Sequence, residues 1–393
     1  MKSNQLIVIN SGSSSIKFAA YTFSNTLDRT LNGYVENIST NPVSKIYAAN
    51  GDLIKQNTFS REMGYEQFYE MLVSAFESNQ FNYSVSGVGH RVVHGGEKYT
   101  SPVIVTDMIL DDLKQFIPFA PLHQPFNIKA IECIRKSYPN LPQAACFDTS
   151  FHRSHPVIAD LFGLPRKLID AGIKRYGFHG LSYEYIMHKV NELYPENANS
   201  RIIVAHLGNG SSMCAIKDGV SVDTTMGFTA LDGLMMGTRC GSLDPGVVIY
   251  LMEYQHMSAK DIEKMLYSQS GLLGVSGITH NMKQLLENQS DAARQAVELY
   301  VYRIRREMGA LTSVLGGLDM LIFTGGIGEN SWQIRERVCV DNDWLGLKID
   351  KNKNSKNQSD ITGDGSKVGV HVIPANEEWV IANHTYHLIS GEN

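Results

Sequence analysis

The sequence predicts an α/β protein built as two related domains. Three observations carry that expectation. Apolar strand-like runs alternate with helical periodicities and crossover-length connections. A strand–turn–strand unit near the start returns about 195 residues later. At 393 residues the chain also exceeds one ordinary core and suggests two or three domains of roughly 150 residues. Apolar residues make up 43% and charged residues 19%, enough to fill two cores and far from a disordered composition. The expected boundaries are 1–150 for an N-terminal domain and 151–377 for a second. A helix over about 378–393 is expected to pack back on the first.

Leu6-Ile-Val-Ile-Asn10 reads as a buried strand, Ser11-Gly-Ser-Ser-Ser15 as a tight turn, and Ile16-Lys-Phe-Ala-Ala20 as the returning strand. Short β-like runs continue from Asn25 to Ser60, where Asn50-Gly51 predicts a type I′ hairpin. Tyr65, Phe68, Leu72 and Ala75 recur at helical spacing. A buried strand at Val85–Gly89 leads into His90-Arg-Val-Val-His-Gly-Gly96. Ile202–Leu207, Gly208-Asn-Gly-Ser-Ser212 and Met213–Lys217 then repeat the opening pattern, GNGSSMCAIK beside SGSSSIKF. Val297, Val301, Ile304, Met308 and Leu311 mark a long helix before the strand Met320–Thr324 and the glycine turn Gly325–Asn330. Asp350–Lys367 is polar and aperiodic, a surface loop. Strand Val368–Ile373 and a helix from Asn376 follow.

Lys and Arg number 35 against 40 Asp and Glu, a net charge of −5 that disfavours a nucleic-acid binder. The longest early apolar run, Leu6–Ile9, is far short of a signal segment or a membrane span. Five scattered Cys with no CxxC spacing argue against a disulfide framework or a zinc site and make the reducing cytoplasm the default.

Three glycine- and hydroxyl-rich turns follow apolar strands, at 11–15, 208–212 and 325–330. Such turns expose backbone N–H groups to which a polyphosphate can come close. There is no GxxxxGK[ST] and no GxGxxG opening a helix, so neither common nucleotide motif applies. A single such turn is more often only a turn; three at strand ends, two of them repeat-related, point to phosphate. Lys17 leaves the first turn where a point charge could reach a phosphate. Asn10 either closes an Asx turn or holds Mg²⁺ through water. Arg91, among apolar neighbours, needs an anion, because a buried guanidinium is costly unless paired. His90 and His94 have metal spacing only on a helix, which the adjoining glycines oppose. Asp148 ends an apolar run as a Mg²⁺ partner, a proton acceptor or a turn residue. His179 and Arg239 each stand among glycines, where a ligand can approach. Glu377 and Glu378 follow a strand; helix capping is their plain reading.

In order, VINSGSSSIKF, GHRVVHGGEKY, FDTSFH, RYGFHG, HLGNGSS, GLMMGTRCGSLDP, SGLLGVSG, FTGGIGEN and VIPANEE resemble the motif set of the acetate kinases, short-chain carboxylate kinases, from residue 6 to about 385. The resemblance implies the actin/Hsp70/sugar-kinase superfold, two related domains around a nucleotide cleft, with the second domain binding the nucleotide. It implies ATP or ADP, Mg²⁺ or Mn²⁺, and a homodimer. Carried over by position, Asn10 and Glu377 organise the metal, and Lys17, Ser13 and Ser15 hold nucleotide phosphates. His206, Leu207, Gly208, Asn209, Gly210 and Ser211 form the second phosphate turn. Asn281, Met282 and Lys283, with Gly326, Ile327, Gly328, Glu329 and Asn330, flank the nucleotide. Arg91 binds the acyl carboxylate, Asp148 positions groups or metal, and His179 and Arg239 stabilise the moving phosphoryl. Val93, Leu122, Phe178 and Ala230 wall the acyl pocket.

The chemistry agrees with that set. A carboxylic acid of pKa about 4–5 is already ionised at neutral pH, so no general base is required and Asp148 is not expected to act as one. The task is to bring anions together and neutralise charge on the equatorial phosphoryl oxygens. Three positions depart from the family pattern. Leu181-Ser182-Tyr183 replaces Thr-Ser-His, Asn281-Met282-Lys283 replaces Asp-Met-Arg, and Ala230 replaces Pro. The second leaves base selectivity open, and the third leaves acetate against propionate open. A sugar or polyol kinase of the same superfold would need a base and would face two Arg with a neutral substrate. A non-enzyme alternative is an Hsp70- or actin-like nucleotide switch or a degenerate regulatory relative; intact Arg91, Asp148, His179, Arg239 and Glu377 weigh against decay.

Overall fold

Alternation of buried and polar residues lays down two β-sheets, each in its own unit of the chain. In a computed structural model, residues 3–12, 15–23, 26–38, 40–59, 64–77 and 83–391 are described; Ser13 lies outside them. Unit 1 comprises Met1–Phe151 with Asn376–Asn393, and unit 2 comprises His152–Ala375.

Unit 1 carries β1 (Ser3–Ser11), β2 (Ser15–Phe23), β3 (Leu27–Glu36), β4 (Val43–Ala48), β5 (Leu53–Thr58), β6 (Tyr83–Val92), β7 (Val103–Ile104) and β8 (Gln143–Phe147). They form one sheet in the order β5-β4-β3-β2-β1-β6-β8-β7. β1 is antiparallel to β2 and parallel to β6, which is parallel to β8. Leu6–Ile9 are almost wholly buried because β1 is covered on both faces. Val88 joins the core beneath Phe68, Val73 and Ala130. Its neighbours Gly87 and Gly89 point the other way, where a Cβ would collide with Ile389, Thr385 and Ile381 of the helix Glu377–Ser390. Glycine there lets that helix lie close on the sheet.

Unit 2 carries β9 (Ile202–Leu207), β10 (Ser211–Lys217), β11 (Val220–Thr224), β12 (Met320–Thr324) and β13 (Gly369–Val372), ordered β11-β10-β9-β12-β13. β9 is antiparallel to β10 and parallel to β12. This repeats the order and directions of β3-β2-β1-β6-β8, so the short sequence echo has a topological counterpart. The helix Asp291–Leu315 buries Val297, Tyr300, Ile304, Met308 and Leu311 in this core.

Three local expectations are corrected. The β4–β5 hairpin forms, but only Gly51 of the Asn50-Gly51 pair is left-handed, so its turn is not type I′. Gly325–Asn330 is a short helix rather than a plain turn, its first N–H bound by the Glu329 carboxylate at 2.9 Å. Asp350–Lys367 contains a helix, Lys351–Ser355, which Asp350 caps. Asn354 within it is fully buried, accepting from the Arg335 Nε at 2.8 Å, so polarity there reflects internal pairing rather than solvent.

Candidate active site

In unit 1, parallel pairing brings the ends of β1, β6 and β8 side by side, and ligands in α/β sheets gather at such carboxyl ends. Asn10 nears the end of β1, Arg91 that of β6, and Asp148 follows β8. Arg91 forks onto Asp148, Nε to Oδ1 at 2.9 Å and Nη2 to Oδ2 at 2.6 Å. Its Nη1 donates to Asn10 Oδ1 at 3.3 Å, and Glu377 Oε2 stands 3.9 Å from Nε. Burial alone would push the guanidinium down, but Asp148 and Glu377 outweigh it and hold it above its ordinary value. Lys17 pairs with Asn10 across the β1–β2 ladder and is exposed. Ser15 closes the first turn, its carbonyl accepting from Gly12 N–H at 2.8 Å.

The chain after β6 is fixed by residues that sequence reasoning missed. Val93 N–H donates to Asn127 Oδ1 at 3.0 Å and His94 N–H to Gln124 Oε1 at 3.1 Å. Asn127 Nδ2 in turn reaches the carbonyl of Ser11 at 2.8 Å, tying the ends of β1 and β6 together. The available signal was polar residues on the buried face of the helix Gln124–Ser137. Val93 is buried; Leu122 is exposed.

In unit 2, His179 caps the helix Gly180–Leu193 in the left-handed region, φ 60° and ψ 21°. A non-glycine residue there costs about 1 kcal/mol, so surrounding contacts must hold it. Its Nδ1 is 2.8 Å from Ser212 Oγ, which also pairs with the Tyr183 hydroxyl. Its ring stacks on His206 with centroids 4.3 Å apart, and His206 Nδ1 is 2.8 Å from Ser182 Oγ. Burial pushes the Tyr183 phenol well up. Phe178 is buried beside His179.

The β9–β10 turn at Gly208–Gly210 converges on this histidine. A Cβ at Gly210 would stand 3.4 Å from His179 Nε2 and 3.7 Å from Arg239 Nη1, so glycine keeps that space open. Arg239 donates to the Ala230 carbonyl at 2.9 Å. Its loop is pinned by the Ser270–Gly274 stretch, Ser270 N–H to the Thr238 carbonyl at 3.0 Å and Leu272 N–H to the Met236 carbonyl at 2.9 Å.

Beside this turn lies a cavity of about 550 Å³, within the range of small-molecule sites. Asn209, Asn281, Met282 and Lys283 line it, with Gly326, Ile327 and Asn330 across from them. His280 and Trp332, unforeseen from sequence, are also part of its lining. Asn281 also caps a helix, accepting from Gln284 N–H at 3.3 Å. Other residues expected at the nucleotide are bonded within the fold or buried. Ser211 Oγ bonds Gly208 and, at 3.0 Å, the Tyr300 hydroxyl. Glu329 accepts from Gly325 and Ala375 N–H groups. Leu207 and Gly328 are buried.

Among the described residues no group of three or more His, Cys, Asp or Glu is arranged to hold a metal alone. The Asn10 carboxamide and Glu377 carboxylate are hard oxygen donors in the Arg91 cluster. Two such donors suit Mg²⁺, which keeps waters and phosphate oxygens around it. No described helix is long and apolar enough to cross a membrane.

A family model described as the Acetokinase family matches residues 5–383. An acetate kinase of Methylocella silvestris is 47% identical over 394 residues, 98% of this chain and 98% of that protein. The crystal structure of Porphyromonas gingivalis acetate kinase superposes with a TM-score of 0.89 at 35% identity, covering 98% of this chain and 100% of that one. A propionate kinase of Francisella tularensis reaches 0.92 at 35% identity, again over 98% and 100%.

Proposed function

The chain belongs to the acetokinase family, phosphotransferases with a carboxylate acceptor, and we propose that it moves the terminal phosphoryl group of ATP reversibly onto acetate, giving acetyl phosphate and ADP. The observation that carries a carboxylate over a hydroxyl acceptor is the Arg91–Asp148 fork, which takes both Asp148 oxygens. A carboxylate so bound is a poor base, and only an acceptor already ionised can do without one.

In this reading the nucleoside occupies the cavity at Lys283 and Trp332, and its phosphates run along Gly208–Gly210 and Gly326. Arg91, oriented by Asp148, binds the acyl carboxylate. His179 Nε2 and Arg239 face the transferring phosphoryl, where preorganised donors stabilise charge on its equatorial oxygens. Asn10 and Glu377 would hold Mg²⁺ or Mn²⁺, which when bound neutralises and orients phosphate oxygens. Val93 and Leu122 in unit 1, and separately Phe178 and Ala230 in unit 2, are the residues this reading assigns to acyl recognition. With Ala230 in place of a bulkier Pro, propionate should react within roughly tenfold of acetate in kcat/KM. Because Arg239 leans on the Ala230 carbonyl, pocket shape and phosphoryl contact are linked.

A homodimer is supported by the helix Pro245–Glu253, which buries none of its residues although Ile249 and Tyr250 are apolar and 55% and 52% exposed. A cytoplasmic setting is supported by five free cysteines. Trapping acyl phosphate with hydroxylamine in the presence of ATP tests the reading across acetate, propionate, butyrate and glucose. Hydroxamate from acetate and propionate is expected; glucose phosphate without hydroxamate would overturn it.

A further inference from the structure

On the helix Gln124–Ser137, Gln124 and Asn127 stand one turn apart and are almost wholly buried. Asparagine is a weak helix former, so nothing local recommends it at 127. Both carboxamides serve the backbone that leaves β6. Val93 N–H donates to Asn127 Oδ1 at 3.0 Å, His94 N–H to Gln124 Oε1 at 3.1 Å, and Gly95 N–H to Thr149 Oγ1 at 3.1 Å. Three successive peptides past the end of the strand are thus held by side chains.

Asn127 differs from the other two because its second bond crosses to another strand. β1 runs to Ser11 and β6 to Val92, yet their paired residues end at Ile9 and His90. Past that point the Asn127 carboxamide joins the two chains, its Nδ2 donating to the Ser11 carbonyl at 2.8 Å. It behaves as an inserted peptide group, accepting from one chain and donating to the other. Its orientation is dictated. A backbone N–H only donates and a backbone carbonyl only accepts, so the oxygen must face Val93 and the nitrogen Ser11. Val93 is buried, so its N–H has no easy substitute for that acceptor.

The two bridged peptides adjoin residues of the site. Ser11 follows Asn10, and Val93 lies two residues beyond Arg91. Arg91 is oriented by its ionic partners, whereas Val93 has only its backbone to place it. Valine is stiff about χ1, so the position of its peptide decides where its methyl groups stand.

We propose that Asn127 is a positioning residue for acyl selection: by tying the Val93 peptide to the end of β1, it sets how long an acyl chain the site accepts. The proposal rests on the reading that Val93 meets the acyl group. Asn127 acts through Val93 and not on the substrate.

Trapping acyl phosphate from acetate, propionate and butyrate with the full chain tests it. Asn127→Leu keeps the volume and removes both bonds. A tight pocket rejects each extra methylene by about tenfold to two-hundredfold, and a loosened Val93 forfeits part of that. The butyrate/acetate ratio of kcat/KM should therefore rise about tenfold, with KM for ATP within about twofold of wild type. Asn127→Asp still turns an oxygen to the Val93 N–H, ionised or not, and should keep the wild-type ratio within about twofold. A merely structural role would worsen acetate, butyrate and ATP together, and that result overturns the proposal. So does an unchanged ratio in folded Asn127→Leu, or an equal change in Asn127→Asp. Backbone hydrogen exchange of the wild type decides even if Asn127→Leu folds poorly. The Val93 N–H should exchange at least about 10³-fold more slowly than in an unfolded chain, and exchange near the unfolded rate overturns the proposal. If the wild type makes no acyl phosphate from any of the three acids, the proposed function falls and the acyl role falls with it. Acyl phosphate with an unchanged ratio in Asn127→Leu removes the role of Asn127 alone.

Discussion

Units 1 and 2 share a strand order but fix their functional side chains by opposite means. Unit 1 orients Arg91 with full charges, a forked carboxylate at Asp148 and a second at Glu377. Unit 2 orients His179 with hydroxyls and ring stacking, through Ser212, Tyr183 and His206, and rests Arg239 on a backbone carbonyl. The difference teaches what each can tolerate. Removing a charge from the first cluster strands its partner in a poorly hydrated place. Removing a hydroxyl from the second loosens an angle.

The sharpest test of that contrast sets the two arginines side by side. Arg91→Ala and Arg239→Ala should each lower kcat by about 10²–10³-fold. Only Arg91→Ala should also lower the melting temperature clearly, because it leaves the buried Asp148 carboxylate without its fork. Near-normal turnover in both, with normal circular dichroism, would sink the assignment.

Acid should reveal unit 1 next. His90, fully buried with Nε2 2.7 Å from Gln143 Oε1, is pushed down to about 4, chiefly by burial. A group lowered in the folded state leaves stability intact above its unfolded value of about 6.5. As pH falls from there toward about 4, the unfolded chain binds the proton first and up to about 3 kcal/mol is lost. Urea midpoints measured across that window should fall, and His90→Gln should flatten part of the slope; an unchanged slope would exclude His90 as its source.

Metal dependence comes third. Turnover should cease in excess chelator and return with Mg²⁺ or Mn²⁺. Glu377→Gln should raise the half-saturating metal concentration about tenfold, and full activity in chelator would remove Asn10 and Glu377 from that role.

The smallest effect belongs to unit 2. Tyr183→Phe removes one hydrogen bond to Ser212, worth about 1 kcal/mol, so kcat should drop by only several-fold. A loss as large as that of Arg91→Ala would erase the contrast between the units.

Much of this was legible locally. An apolar run that stops at a polar residue marks a strand end, which is why Asn10, Arg91 and Asp148 could be picked out from their own neighbourhoods. The glycine turn at 208–210 was readable for the same reason. Gly325–Asn330 was not readable as a helix, because glycine is a poor helix former and the Glu329 carboxylate and packing on Leu207 make it one. Asn127 to Ser11 spans 116 residues and His155 to Ser221 spans 66, so no window along the chain contains both partners. Their only trace was a polar residue where the pattern asked for an apolar one.

The helix Glu377–Ser390 has a consequence for biosynthesis. Unit 2 is one continuous stretch, whereas unit 1 needs a segment that the ribosome makes only after all of unit 2. Domains tend to fold as units during synthesis, so unit 2 can complete its core while the sheet of unit 1 still has the groove over Gly87 and Gly89 uncovered. Glu377 arrives with the covering helix. A nascent chain therefore cannot assemble its Arg91 cluster early, and truncation before that helix should yield a folded unit 2 tethered to an unfinished, chaperone-dependent unit 1.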